Sequence, residues 1–166
     1  MKEAIGNAAL FNIVIIFVAI LIAFFVGSLS YTKAYKVKNK IVEEIEKEGE
    51  HSTTVEQAEN AYANAEDEII DWLSNGNDGT GIGYRYNTNG GQNNTTNCNG
   101  DGTLVNKVSD YEYCVYRHST CNGDNEGRCG VYYTVTAYMY FDVPIIEDLI
   151  KIPISGETMT FTINNN

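Results

Sequence analysis

No charged residue occurs between Ala8 and Ser28. The run is almost wholly aliphatic and aromatic: Ala-Ala-Leu-Phe-Asn-Ile-Val-Ile-Ile-Phe-Val-Ala-Ile-Leu-Ile-Ala-Phe-Phe-Val-Gly-Ser. As an α-helix it would extend roughly 31 Å at about 1.5 Å per residue, the thickness of a hydrocarbon core. A cleaved secretory peptide has a shorter apolar core, then a small-x-small site and a break. Here helix-compatible sequence continues past the run, so residues 1–28 read as an uncleaved membrane anchor.

Residues 29–48 contain neither Gly nor Pro. Tyr31, Tyr35, Val37, Ile41, Val42 and Ile45 recur at helical spacing and define one apolar stripe. Lys33, Lys36, Lys40, Glu44 and Glu48 fall on the other side. Gly49 is the expected stop. A single helix is therefore expected from about residue 4 to 48. It would leave the bilayer unbroken and pack its outer half, residues 29–50, on a head formed by residues 51–166.

Charge is divided along the chain. The 166 residues carry 11 Lys+Arg against 22 Asp+Glu, a formal charge of −11. That balance argues against nucleic acid, whose phosphates need a basic surface. Lys2, Lys33, Lys36, Lys38 and Lys40 oppose only Glu3 in residues 1–42; the other acids all lie beyond. Lysines just after an anchor would face the cytoplasm under the positive-inside rule. Four cysteines in a small acidic head point instead to an oxidising compartment. The expectation is N-terminus in and C-terminus out, with Glu43, Glu44 and Glu46 pairing with the lysines along the helix.

The head reads as α+β. A second helix is expected over 54–74, opened by a capping box of Thr53 and Glu56. Its buried face would carry Val55, Ala58, Tyr62, Ala65, Ile69 and Leu73. Four antiparallel strands are expected: 80–86, 111–116, 131–143 stopped by Pro144, and 157–163 with Met159, Phe161 and Ile163 on one face. Residues 87–102 form an exposed Asn/Gly/Thr loop, and 145–150 a short turn or helix. Such a sheet needs a cover for its apolar face. The stripe through Ile41 and Ile45 is the expected one.

Cys98, Cys114, Cys121 and Cys129 allow three pairings. A hairpin between the two middle strands would join Cys121 to Cys129, which leaves Cys98 with Cys114. A zinc site is disfavoured, because no C-x-x-C pair occurs and His51 and His118 lack nearby partner ligands. Asn122, Asp124 and Glu126 alternate before Gly127 like the opening of a calcium loop, but the twelfth position falls on Tyr133. Asn93 and Asn94 begin overlapping N-x-T glycosylation acceptors. No catalytic constellation can be nominated and no cofactor is expected.

These features together resemble type IV pilin-like proteins, and among them the TadE-like minor pilins of tight-adherence pili. The resemblance rests on the anchor continuing as Tyr31-Thr32-Lys33-Ala34-Tyr35-Lys36-Val37-Lys38-Asn39-Lys40. It rests also on the later strand Tyr132–Phe141 with Asp142-Val143-Pro144, then Ile152-Pro153 and Glu157–Phe161. It implies a pilin-like fold and a structural, non-enzymatic subunit of an extracellular filament. Its partners would be membrane lipid before assembly, the pilus assembly machinery, and its own copies in a helical filament. Family members are usually cut after a Gly near the N-terminus and carry Glu as the fifth mature residue. Here Gly6 precedes Asn7, and the fifth residue from there is Phe11. If the chain stays uncut, Glu3 would take the balancing role toward Lys2 or the Met1 amine of a neighbour. Ala8, Phe11, Ile15, Ala19, Ala23 and Gly27 would then form the assembly row. A membrane-anchored extracellular binding or adhesion protein that does not polymerise is the alternative.

Overall fold

The computed structural model describes residues 2–75, 98–106, 111–121, 128–140 and 151–164. One helix, α1 (Lys2–Gly49), runs without interruption through both the apolar run and the amphipathic stretch. Two short helices follow, α2 (Val55–Glu59) and α3 (Ala61–Asn75). Then come strands β1 (Thr103–Leu104), β2 (Tyr113–Ser119), β3 (Arg128–Tyr140), β4 (Lys151–Glu157) and β5 (Phe161–Asn164). The architecture is α+β, a long N-terminal helix packed on a small antiparallel sheet.

The sheet runs in the order β1-β2-β3-β4, with β5 on the same edge of β3 as β4. β3 is the central strand. Its odd-numbered side chains Val131, Tyr133, Val135 and Ala137 are fully buried beneath the helices. From α1 the cover is Ala34, Val37, Ile41 and Ile45, also fully buried. That row differs from the expected stripe at one end. Ala34 takes the buried position, and Tyr31 and Tyr35 stay 52% and 45% exposed. A small residue lets the helix approach closely where the sheet begins. From α3 come Tyr62, Ala65, Ile69 and Leu73, all near-fully buried.

Several expected elements are corrected. The second helix is two helices, broken at Asn60. The break is held from the sheet: the Tyr133 hydroxyl donates toward Ala58 O at 2.8 Å and Glu59 O at 2.7 Å. Arg117 Nη1 adds a bond to Glu59 O at 3.3 Å and a 3.4 Å ion pair to its carboxylate. The capping box is Thr54 with Gln57, because Thr54 holds the extended N-cap conformation. Gly49 does end α1 as expected, though without a left-handed turn; Gly102 is the positive-φ glycine among the described residues. Gly49 is needed because a Cβ there would overlap the Phe161 ring.

The single strand expected over 157–163 is instead the end of β4 and most of β5, which makes the sheet five-stranded. β4 includes Pro153, tolerable because an edge strand leaves one side unpaired. A bulge at residues 158–160 separates it from β5. Thr158 bridges the gap, its N–H donating to Tyr133 O at 2.9 Å and its Oγ1 accepting from Tyr133 N at 3.0 Å. The extra residue shifts the alternation. Thr158 is buried and Met159 exposed, while Phe161 and Ile163 return to the core. At the opposite edge, buried Asn106 bonds both Tyr113 O (2.6 Å) and Val115 N (2.7 Å) and so prolongs the pairing begun by β1. The expected strand 80–86, the loop 87–97, residues 141–143 and the turn 145–150 lie outside the described residues.

Replacing Tyr133 by Phe should lower unfolding stability by about 1–3 kcal/mol, since buried carbonyls at the α2–α3 break lose their donor. Urea denaturation of the full chain in detergent, followed by circular dichroism, measures it.

Candidate functional site

Two regions present groups that the head core does not use. The first is the N-terminal half of α1. From Leu10 to Leu29 its large side chains face outward, Phe24 at 80% exposure. Helix α1 is long and apolar enough to cross a membrane. Phe11, Ile15, Ala19, Ala23 and Gly27 follow one another at intervals of four, which places them on one ridge. Phe11, Ile15, Ala19 and Ala23 are exposed and Gly27 is half-buried. Glu3 and Ala8 fall within α1, but their side chains lie outside the described residues.

Beyond this half the helix carries its own ion network. Glu44 is 4% exposed and accepts from Lys40 at 2.5 Å and Lys47 at 3.2 Å. Burial pushes its carboxyl up, and the two lysines together more than offset this, leaving it below the ordinary 4.5. One of the three acids expected to pair with lysines therefore does. Glu46 instead accepts the Met159 amide at 2.7 Å, fastening the bulge to the helix.

The second region is the face of the sheet turned away from the helices. Cys114, Tyr116 and Tyr138 form a small buried cluster there, joined by Cys98 and Leu104. A groove of about 630 Å³ opens beside it, bordered by Asn99, Asp101, His118, Tyr132, Ser155 and Glu157 among others. His118 stacks on Tyr132 with ring centroids 4.5 Å apart and bonds Thr134 Oγ1 at 3.0 Å. The Tyr116 hydroxyl accepts the Gly100 amide at 2.8 Å. Burial raises the Tyr138 phenol above its ordinary value, and that of Tyr133 to about 12. Burial likewise raises Tyr62, whose hydroxyl meets that of Tyr113 at 3.0 Å and Glu66 at 3.1 Å. These phenols are therefore protonated hydrogen-bonding groups at neutral pH.

The cysteines pair as Cys98–Cys114 and Cys121–Cys129, with Cα separations of 5.7 and 4.9 Å. The first ties residues 98–101 to the outer face and so shapes one wall of the groove. The second closes the connection between β2 and β3. Among the described residues no cluster of three or more His, Cys, Asp or Glu is placed to hold a metal. Asn122, Asp124, Glu126, Asn93 and Asn94 lie outside the described residues. No single stretch of sequence marks the groove, because its residues come from four separated segments. The one local signal was the polar alternation Thr134–Thr136 within β3. No family model, curated protein or solved structure matches the chain.

Two measurements test this arrangement. Glu44→Gln should lower the unfolding midpoint at pH 7, and the difference should shrink on acidification. The sign follows from a folded carboxyl held below its unfolded value: the stabilisation is complete above about pH 4.5 and lost as pH falls through the lower folded value. Chemical denaturation at stepped pH reads it. Cys121→Ser with Cys129→Ser should cost about 2–3 kcal/mol, the expectation for a short closed loop. Wild-type protein should react with a thiol alkylator only after reduction, as mass spectrometry would record.

Proposed function

We infer that the chain is a structural subunit of an extracellular filament of the type IV pilus kind, assembling through the apolar half of α1. One observation carries the reading: a single unbroken helix joins an outward-facing apolar half to a half buried in an antiparallel head. A helix apolar on all sides can reside in lipid or in a bundle of its own copies, since both surroundings are apolar. Transfer between the two exchanges like for like. Each subunit would repeat one heterologous contact that does not close, which generates a helical filament. The small residues Ala19, Ala23 and Gly27 permit close approach of neighbouring helices. The two disulfides support an oxidising location for the head, hence N-terminus in and C-terminus out. Lipid before assembly, the assembly machinery and other copies of the chain are the partners in this reading, and no catalysis is assigned.

The outer groove favours a second reading, a single-pass anchored protein that binds a ligand as a monomer. The two differ in what residues 1–28 do. Filament assembly needs them, whereas ligand capture by the groove does not. Electron microscopy of material sheared from cells, with peptide mass spectrometry of the same fraction, separates them. Filaments composed of this chain are expected; retention in the membrane with no filament containing it would favour the monomer. Ala19→Asp should abolish filaments, because a charge buried in an apolar bundle finds no partner. Undiminished filament yield from that variant would contradict the assembly role of the ridge.

A further inference from the structure

The head and the apolar half of α1 stand in a fixed axial register, which decides what lies beside the end of the uncharged run. Three contacts define it. The Lys38 side chain crosses Gly156, Glu46 holds the Met159 amide, and the Phe161 ring lies on Gly49. From Lys38 to Gly49 the helix rises about 16 Å. From Gly156, opposite Val135, to Phe161, opposite Val131, the bulged edge advances about 13 Å in the same direction. The β4–β5 edge and α1 thus run side by side in one direction. Followed backward from Gly156, β4 covers about 13 Å to reach Ile152, the rise of about nine helical residues. This extrapolation brings Ile152 to the level of residues 27–29, where the apolar run ends.

Ile152 shares a strand face with Ile154 and Gly156, the face turned to α1. Ile154 packs against the core, yet Ile152 is 42% exposed. At the same level α1 presents exposed Leu29, then Tyr31 and Tyr35 stacked with centroids 6.1 Å apart. Exposed Lys33 and Lys36 are interleaved with them, and Lys38 lies 4.6 Å over the Tyr35 ring. Apolar, aromatic and cationic groups follow one another along the axis in the order hydrocarbon, interfacial belt, phosphate. No acid occurs between Glu3 and Glu43, so nothing in the sequence of this stretch offsets the lysines.

We propose that a rim of Tyr31, Lys33, Tyr35 and Lys36 on α1 with Ile152 on β4 rests in the headgroup layer of an anionic phospholipid leaflet. The head is seated on the membrane and not held away from it on a stalk. This rests on the reading of residues 8–28 as a membrane span, and it holds whether or not the chain later polymerises.

The test uses the full chain in nanodiscs of phosphatidylcholine alone or mixed with phosphatidylglycerol. Nitroxide labels are placed singly at Ile152→Cys, at Thr162→Cys toward the far end of the sheet, and at Ile15→Cys. Collision rates with a water-soluble nickel chelate and with oxygen report depth. In phosphatidylglycerol discs the Ile152 label should be shielded from the chelate roughly threefold or more relative to Thr162, and Ile15 should lie in hydrocarbon. Phosphatidylcholine discs, or Lys33→Gln with Lys36→Gln, should restore chelate access at Ile152. An Ile152 label as accessible as Thr162 while Ile15 stays shielded overturns the seating alone. An accessible Ile15 overturns the span, and the seating with it. Shielding at Ile152 that ignores both lipid charge and the lysine substitutions overturns the assignment to anionic lipid.

Discussion

The head is organised around one row of contacts, Ala34, Val37, Ile41 and Ile45 of α1, in the core cluster they share with β3 and α3. The inner face of the sheet is nearly all apolar, and without a cover Val131, Tyr133, Val135 and Ala137 would face water. The same row fixes the direction in which the apolar half of α1 leaves the head. A helix interrupted near residue 30 would keep the head and lose that alignment. Continuity of α1 is thus a mechanical condition as well as a local one.

Polar side chains then repair what irregular backbone leaves open. Tyr133 serves the helix break, Thr158 the bulge, and Asn106 the short first strand. Each stands in for a main-chain partner at a place where regular pairing stops. Such substitutions let a head with long connections satisfy its buried polar groups without lengthening its strands.

The parts legible in the sequence were those with local causes. The uncharged run and the helical spacing through Ile45 predicted α1, and a stretch rich in Tyr, Thr and Val located β3 to within a few residues. The shape of the head core followed, including α1 as the cover. What stayed hidden came from distant partners. The break at Asn60 depends on Tyr133 and Arg117, far along the chain. Met159 alternates correctly with Phe161 in sequence, and the bulge at 158–160 turns it outward. Gly49 reads as a helix stop, but its requirement is set by the Phe161 ring. No single stretch of the sequence contains the groove.

The parallel course of α1 and the β4–β5 edge has a consequence under load. A pull on the anchor, resisted at the head, acts along the line of the strands. It must slide the helix past the sheet, displacing Lys38 from Gly156, Glu46 from Met159 and Gly49 from Phe161 together. Contacts arranged this way share the force and yield as a group, whereas contacts peeled from one end fail singly. The head is therefore built to resist stretching along its own axis more than separation at right angles to it.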